Sequence, residues 1–220
     1  MSSSHLPAGC TSKVNDFVGR RLYAIIDLSY VSDNQAPAIL KKLIDGGIDV
    51  VQLRGKNRSV NELAAVAEQL LEQTMAANIP FIINDHAAVA DRVGVQGVHV
   101  GQDDDSIAQV RSAVERPLIV GKSTHSVTQA VAAEREGADY IGFGPLFPTP
   151  TKPDYKPIGL DSIREVHRQV KIPIFCIGGI NIDNLQMVID AGANRVVMVS
   201  ALLKAHSIVD YVRCATDMLA

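Results

Sequence analysis

Short apolar runs alternate with amphipathic stretches eight times along this chain, and that alternation restricts the fold more than any other feature of the sequence. The runs at 22–27, 50–54, 81–83, 98–100, 118–120, 140–143, 174–177 and 196–199 are expected to be strands. Helices are expected at 36–44, from the Ser59-x-x-Glu62 capping box through Met75, at 87–93, 106–115, 126–136, 160–170 and 182–190, and from about Ser207. Val60, Leu63, Ala64, Ala67, Leu70, Leu71 and Met75 share one face of the second helix. Strand and helix in strict turn build a parallel sheet. No run reads as an edge strand, so the sheet is expected to close as an α/β, eight-stranded parallel (β/α)8 TIM barrel.

The length of 220 residues suits one such barrel at the compact end of its range. Residues 1–20 are rich in Ser, Gly and Pro without apolar periodicity and read as an N-terminal tail, which leaves 21–220 as a single catalytic domain. Gly47, Gly94, Gly137 and Gly192 each stand just before a strand, which fits either an internal two-unit repeat or ordinary glycine caps. With 21 basic against 24 acidic residues, non-specific nucleic-acid binding is disfavoured, and any anion site must be local. Cys10, Cys176 and Cys214 form no C-x-x-C pair, and Cys176 reads as a small core residue. No apolar run approaches the roughly 20 residues a bilayer requires, and no secretory leader is visible, so a cytoplasmic setting is expected. The oligomeric state is not written in the sequence, and a homo-oligomer is compatible with it.

In a barrel the residues that follow the strands gather on one face, which reduces the search for chemistry to reading strand ends. Strand three ends in Asn84-Asp85 and strand four in Gln102-Asp103-Asp104-Asp105; adjacent carboxylates there suit a hard cation, Mg2+, over an anionic substrate. Acidic residues also favour helix entry, so part of that aspartate run is expected only to cap. His99 lies inside a strand and reads as a hydrogen-bonded interior residue rather than a ligand. Gln52, Arg54 and Lys56 follow strand two, with Arg54 and Lys56 at strand spacing. Lys122, Ser123, Thr124 and His125 follow strand five. The connection from 144 to 159 holds five of the ten prolines together with Thr149, Pro150, Thr151 and Lys152, and reads as a substrate-covering segment. Gly178-Gly179 and Val199-Ser200 end strands seven and eight, where barrels often seat a phosphate against backbone N–H groups. Two anion sites result, one with metal and cations and one lined by glycine.

Gln52-Leu53-Arg54-Gly55-Lys56, Asn84-Asp85, His99 to Asp104, Gly144 to Lys152 and Ile177 to Ile180 together resemble the thiamine-phosphate synthase family from about Arg21 onward. The resemblance implies a transferase of thiamine biosynthesis that joins 4-amino-2-methyl-5-(diphosphooxymethyl)pyrimidine to a thiazole phosphate and releases diphosphate. It implies that Gln52, Arg54, Lys56, Asn84, Ser123 and Lys152 hold the pyrimidine diphosphate, with Arg54, Lys56, Ser123 and Lys152 catalytic. It puts Mg2+ on Asp85 and Asp104, and the thiazole phosphate on Thr149, Pro150, Thr151, Gly179, Val199 and Ser200. One departure stands out: Gly55 occupies a position where the family usually has Glu, which suggests a missing charge and a looser loop. The rivals are a thiazole tautomerase using His125 as acid or base, a non-catalytic barrel that binds thiazole phosphate or thiamine phosphate, and an unrelated phosphosugar isomerase.

Overall fold

The computed structural model describes Phe17, residues 19–151 and residues 156–220. Its strands are β1 (Leu22–Asp27), β2 (Val50–Arg54), β3 (Phe81–Asn84), β4 (Gly97–Val100), β5 (Ile119–Thr124), β6 (Tyr140–Phe143), β7 (Ile174–Cys176) and β8 (Val196–Met198). They pair in sequence order, all parallel, and β8 closes onto β1, so the expected barrel is formed. The helices between them are α1 (Ala36–Gly46), α2 (Val60–Ala76), α3 (Ala87–Val93), α4 (Ile107–Ser112), α5 (Val127–Arg135), α6 (Ile163–Gln169) and α7 (Ile182–Asp190). A short α8 (Ser200–Leu203) and a closing α9 (Ile208–Leu219) follow β8. Helix α8 was not anticipated, because one turn is too short to carry a hydrophobic period.

Strand parity divides the apolar residues into two layers. Leu22, Ala24 and Ile26 of β1 face the helices, and Tyr23 and Ile25 belong to a separate inner cluster with Ile82, Ile119, Tyr140, Phe175 and Val197. Phe17 joins that inner cluster and is fully buried, its ring centroid 4.7 Å from that of Tyr140. Phe17, within the stretch read as a tail, is therefore part of the barrel packing. The rest of that stretch, residues 1–16 and 18, lies outside the described residues.

Helix ends follow local chemistry. Ser59 accepts from Glu62 N, and the Glu62 side chain returns to Ser59 N, which completes the anticipated capping box. Gly47, Gly94, Gly137 and Gly192 all have positive φ, as helix-ending caps require. The expected face of α2 is shifted: Val60 and Met75 are 44% and 63% exposed, and Val66 and Thr74 are buried instead. Both misplaced residues sit at the ends of the helix, where the apolar stripe turns away from the barrel. Cys176 is fully buried, and burial pushes its thiol up to about 12, as suits an inert core residue.

Candidate active site

A cavity of about 380 Å³ opens at the C-terminal ends of the strands. Gln52, Arg54, Asn84, His99 and Ser123 line one side of it. Gly178, Gly179, Val199, Ser200 and the loop residues Thr149 to Thr151 line the other.

The polar side is made largely from within the strands. Val50, Gln52 and Arg54 share one parity of β2, and Ile25 and Asp27 lie beside Gln52 and Arg54 in the register. Asp27 is fully buried and accepts Arg54 Nη1 at 2.6 Å, and it also accepts the Ser29 backbone N–H and hydroxyl. The guanidinium is thus held in place from below by a desolvated partner. Sequence reading missed Asp27. Its signal was an acid at the end of strand one at the parity of Tyr23 and Ile25.

Lys56 departs from expectation, because β2 ends at Arg54. Lys56 lies exposed in the following loop and does not line the cavity, so strand spacing does not align it with Arg54. Gly55, expected to loosen this loop, is itself buried, and a Cβ there would stand only 3.0 Å from both Arg58 Cγ and Leu63 Cδ1. Arg58 ion-pairs with Asp33 at 2.6 Å. A side chain at this position would require Arg58, Leu63 and Leu28 to shift slightly.

Asp85 follows β3 with φ of 64°, the left-handed region that non-glycine residues seldom occupy, and its N–H donates to the His99 carbonyl at 2.8 Å. Asp104 Oδ2 accepts the Gly101 N–H at 2.7 Å, Lys122 Nζ donates to the Gly101 carbonyl at 2.6 Å, and Gln102 Nε2 donates to the Ser123 carbonyl. The loop carrying Asp104 is therefore tied to β5. The helix-entry role foreseen for the other aspartates falls to Ser106, which caps α4 with Gln109, and no acid lies in its first turn. Asp85 and Asp104 stand at the ends of neighbouring strands but outside the cavity lining itself. Among the described residues no group of three His, Cys, Asp or Glu side chains could hold a metal ion. Two all-oxygen donors fit Mg2+, which keeps several waters and takes ligands from substrate phosphates.

Strand β5 runs through Thr124, longer than expected, so Lys122 and Ser123 belong to the strand rather than to a loop. Polar residues at its end disguised its length. His99 bridges Tyr140 OH and Ser123 Oγ through its two ring nitrogens, at 3.1 and 2.9 Å, in keeping with the interior role read for it. His125 Nδ1–H donates to the Gly144 carbonyl and so tethers the 144–159 connection to β5.

The other side is made of backbone. Leu146 N–H donates to the Ile177 carbonyl at 2.9 Å and Phe147 N–H to the Gly178 carbonyl at 3.0 Å, which lays the proline-rich connection against the loop after β7. Gly178 and Gly179 have φ of 102° and 67°, and a Cβ on either would overlap this connection. The glycine pair is thus required for close packing against this connection. Thr151 Oγ1 lies 3.2 Å from Tyr30 OH, and Ser200 opens α8 beside the cavity. Lys152 lies outside the described residues.

Fold and site together define a (β/α)8-barrel enzyme whose mouth sets a charged wall opposite a glycine-lined one. Residues 22–202 match the model of the family described as thiamine monophosphate synthase, and the chain belongs to that family. The thiamine-phosphate synthase of Chloroflexus aurantiacus is 42% identical over 189 residues, 86% of this chain and 87% of the relative. That of Halalkalibacterium halodurans is 40% identical over 189 residues, 86% and 90% of the two chains. The structure of the thiamine phosphate pyrophosphorylase from Pyrococcus furiosus superposes with a TM-score of 0.84 at 30% identity, covering 94% of this chain and 98% of that one.

Proposed function

We propose that this chain transfers the pyrimidine-methyl group of 4-amino-2-methyl-5-(diphosphooxymethyl)pyrimidine to the ring nitrogen of a thiazole phosphate, forming thiamine phosphate and releasing diphosphate. The observation that carries this reading is the buried Asp27–Arg54 pair, which presents a fixed cation into the cavity, across from a glycine-lined wall that also carries Lys204. A departing diphosphate needs its growing charge met by preorganised donors, and a fixed guanidinium costs no reorganisation at that moment. Arg54 and Ser123 hold diphosphate oxygens in this reading, with Gln52 and Asn84 against the pyrimidine end. The family resemblance adds Lys56 and Lys152 as further cations for the leaving group. Gly179, Val199, Ser200 and the 149–151 segment hold the thiazole phosphate. The carbon–oxygen bond to diphosphate breaks with its electron pair leaving on oxygen, and the thiazole nitrogen lone pair forms the new carbon–nitrogen bond. No proton is removed from that nitrogen, so no general base is needed.

Asp85 and Asp104 are the residues to hold Mg2+, which when bound neutralises diphosphate charge. Asp104 is kept in place by Gly101 N–H, and Asp85 by its backbone bond to β4. The tautomerase and regulatory readings lack support in the relatives, which carry the synthase name. Incubating the two phosphorylated precursors and Mg2+ with the protein is expected to give thiamine phosphate and diphosphate in equal amounts. Absence of product under every divalent metal tried would sink the synthase reading, and isomerisation of a thiazole alone would favour the tautomerase.

A further inference from the structure

A hydrogen-bonded chain crosses the barrel interior below the cavity, and the reaction just described uses only its two ends. Gln52 Nε2 donates to Tyr23 OH at 2.8 Å, and the Tyr23 and Tyr140 hydroxyls lie 3.0 Å apart. Tyr140 OH continues to His99 Nδ1 at 3.1 Å, and His99 Nε2 reaches Ser123 Oγ at 2.9 Å. Gln52 and Ser123 line the cavity from β2 and β5, and both tyrosines are 1% exposed. Space for the crossing is made by a missing side chain: a Cβ on Gly121 would overlap both the Tyr140 ring and His99 Nδ1. The rings are fixed by edge-on packing of Phe175 against Tyr23 and Tyr140, with centroids 5.3 and 5.8 Å apart.

Counting protons gives this chain a direction. A phenol has one proton to donate. With the Gln52 amide N–H already donated to the Tyr23 oxygen, the arrangement that gives every phenol proton an acceptor within the chain sends the Tyr23 proton to Tyr140 and the Tyr140 proton to His99 Nδ1. A neutral imidazole then carries its proton on Nε2 and donates to Ser123 Oγ. The proton of Ser123 is left to point into the cavity.

The geometry points to Tyr23 and Tyr140 as positioning residues for the transfer: through His99 they hold Ser123 as a hydrogen-bond donor toward an anionic oxygen of the diphosphate substrate. This rests on the reading above that assigns the β5 wall to that substrate. Burial raises both phenols above their usual range, so each keeps the proton that the chain requires.

The direct test is nitrogen NMR of the full-length protein labelled at its histidines, at about pH 9, above the imidazole range. His99 is assigned by the spectrum lost in His99→Gln. The wild type is expected to show His99 protonated on Nε2 and bare on Nδ1, and Tyr140→Phe is expected to abolish that preference. In turnover, Tyr140→Phe is expected to lower kcat/KM for the diphosphate substrate about tenfold, with KM for thiazole phosphate moved less than about twofold. Added to Ser123→Ala, Tyr140→Phe is expected to have no further effect, which a general loss of packing would not reproduce. Tyr23→Phe serves as a second variant if Tyr140→Phe folds poorly, with the same signs. A wild-type His99 protonated on Nδ1, or a Tyr140→Phe spectrum identical to wild type, overturns the proposal. A tautomer change with no kinetic loss overturns the positioning role and leaves intact the synthase reading, which stands on product formation.

Discussion

The two walls of the cavity are built on different principles. On the β1 to β5 side, side chains project from within strands and are held by other side chains: Arg54 by the buried Asp27, Ser123 by the half-buried His99, and the Asp104 loop by Lys122. On the β6 to β8 side the lining is mostly glycine, proline, aliphatic and small hydroxyl residues, with Lys204 at its β8 end, and backbone bonds join Leu146 and Phe147 to the loop after β7. The first wall meets charge with charge and resists rearrangement. The second offers shape, and its precision depends on missing side chains. The proposed function sets the substrate that loses diphosphate against the first and the thiazole phosphate against the second.

The sharpest way to break this contrast is at the buried ion pair. Arg54→Met is expected to lower turnover by about three orders of magnitude, read by the product assay. Asp27→Ala is expected to destabilise the fold by about 3 kcal/mol, because it leaves a buried cation unpaired. The double variant Asp27→Ala/Arg54→Met should recover most of that loss in denaturant unfolding, and a double variant no more stable than Asp27→Ala would contradict the pairing. Next in size are Asp85→Ala and Asp104→Ala, each expected to cut turnover about a hundredfold and to raise the Mg2+ concentration needed for half-maximal rate. An unchanged Mg2+ profile in both would remove them as ligands.

On the opposite wall, Gly178→Ala would force a Cβ into Pro145 at a φ of 102°. A stability loss of about 1 to 3 kcal/mol is expected, with KM for thiazole phosphate rising more than KM for the diphosphate substrate. The smallest expected effect is on pH dependence. Tyr23 and Tyr140 have raised folded-state values, so the unfolded chain releases their protons first as pH climbs past about 10. Stability contributed below that range should fall above it, and Tyr23→Phe and Tyr140→Phe should each flatten the decline seen in alkaline unfolding curves.

The barrel was legible because strand–helix alternation is a one-dimensional signal, and helices such as α3 and α7 end where their glycine and capping residues say they must. Arg54, Asn84 and Ser123 were legible as residues near strand ends. What holds them was not. Asp27 pairs with Arg54 across 27 residues through the register of β1 and β2, and Tyr23 meets Tyr140 across 117 residues only because the barrel closes around both. The alignment of Lys56 with Arg54 failed for the opposite reason: period-two spacing was carried past the point where the strand stops. Phe17 stands in a stretch without apolar periodicity and showed its role only against the inner cluster.

The division of the mouth into two half-sites is tested most directly by calorimetric titration of two ligands into three proteins: inorganic diphosphate with Mg2+, and thiazole phosphate, each into wild type, Arg54→Met and Ser200→Asp. Wild type should bind both. Arg54→Met should lose diphosphate and keep thiazole phosphate, and Ser200→Asp, which sets a negative charge at the start of α8, should do the reverse. Loss of both ligands in both variants, with the fold intact, would show a single shared anion site and contradict the division.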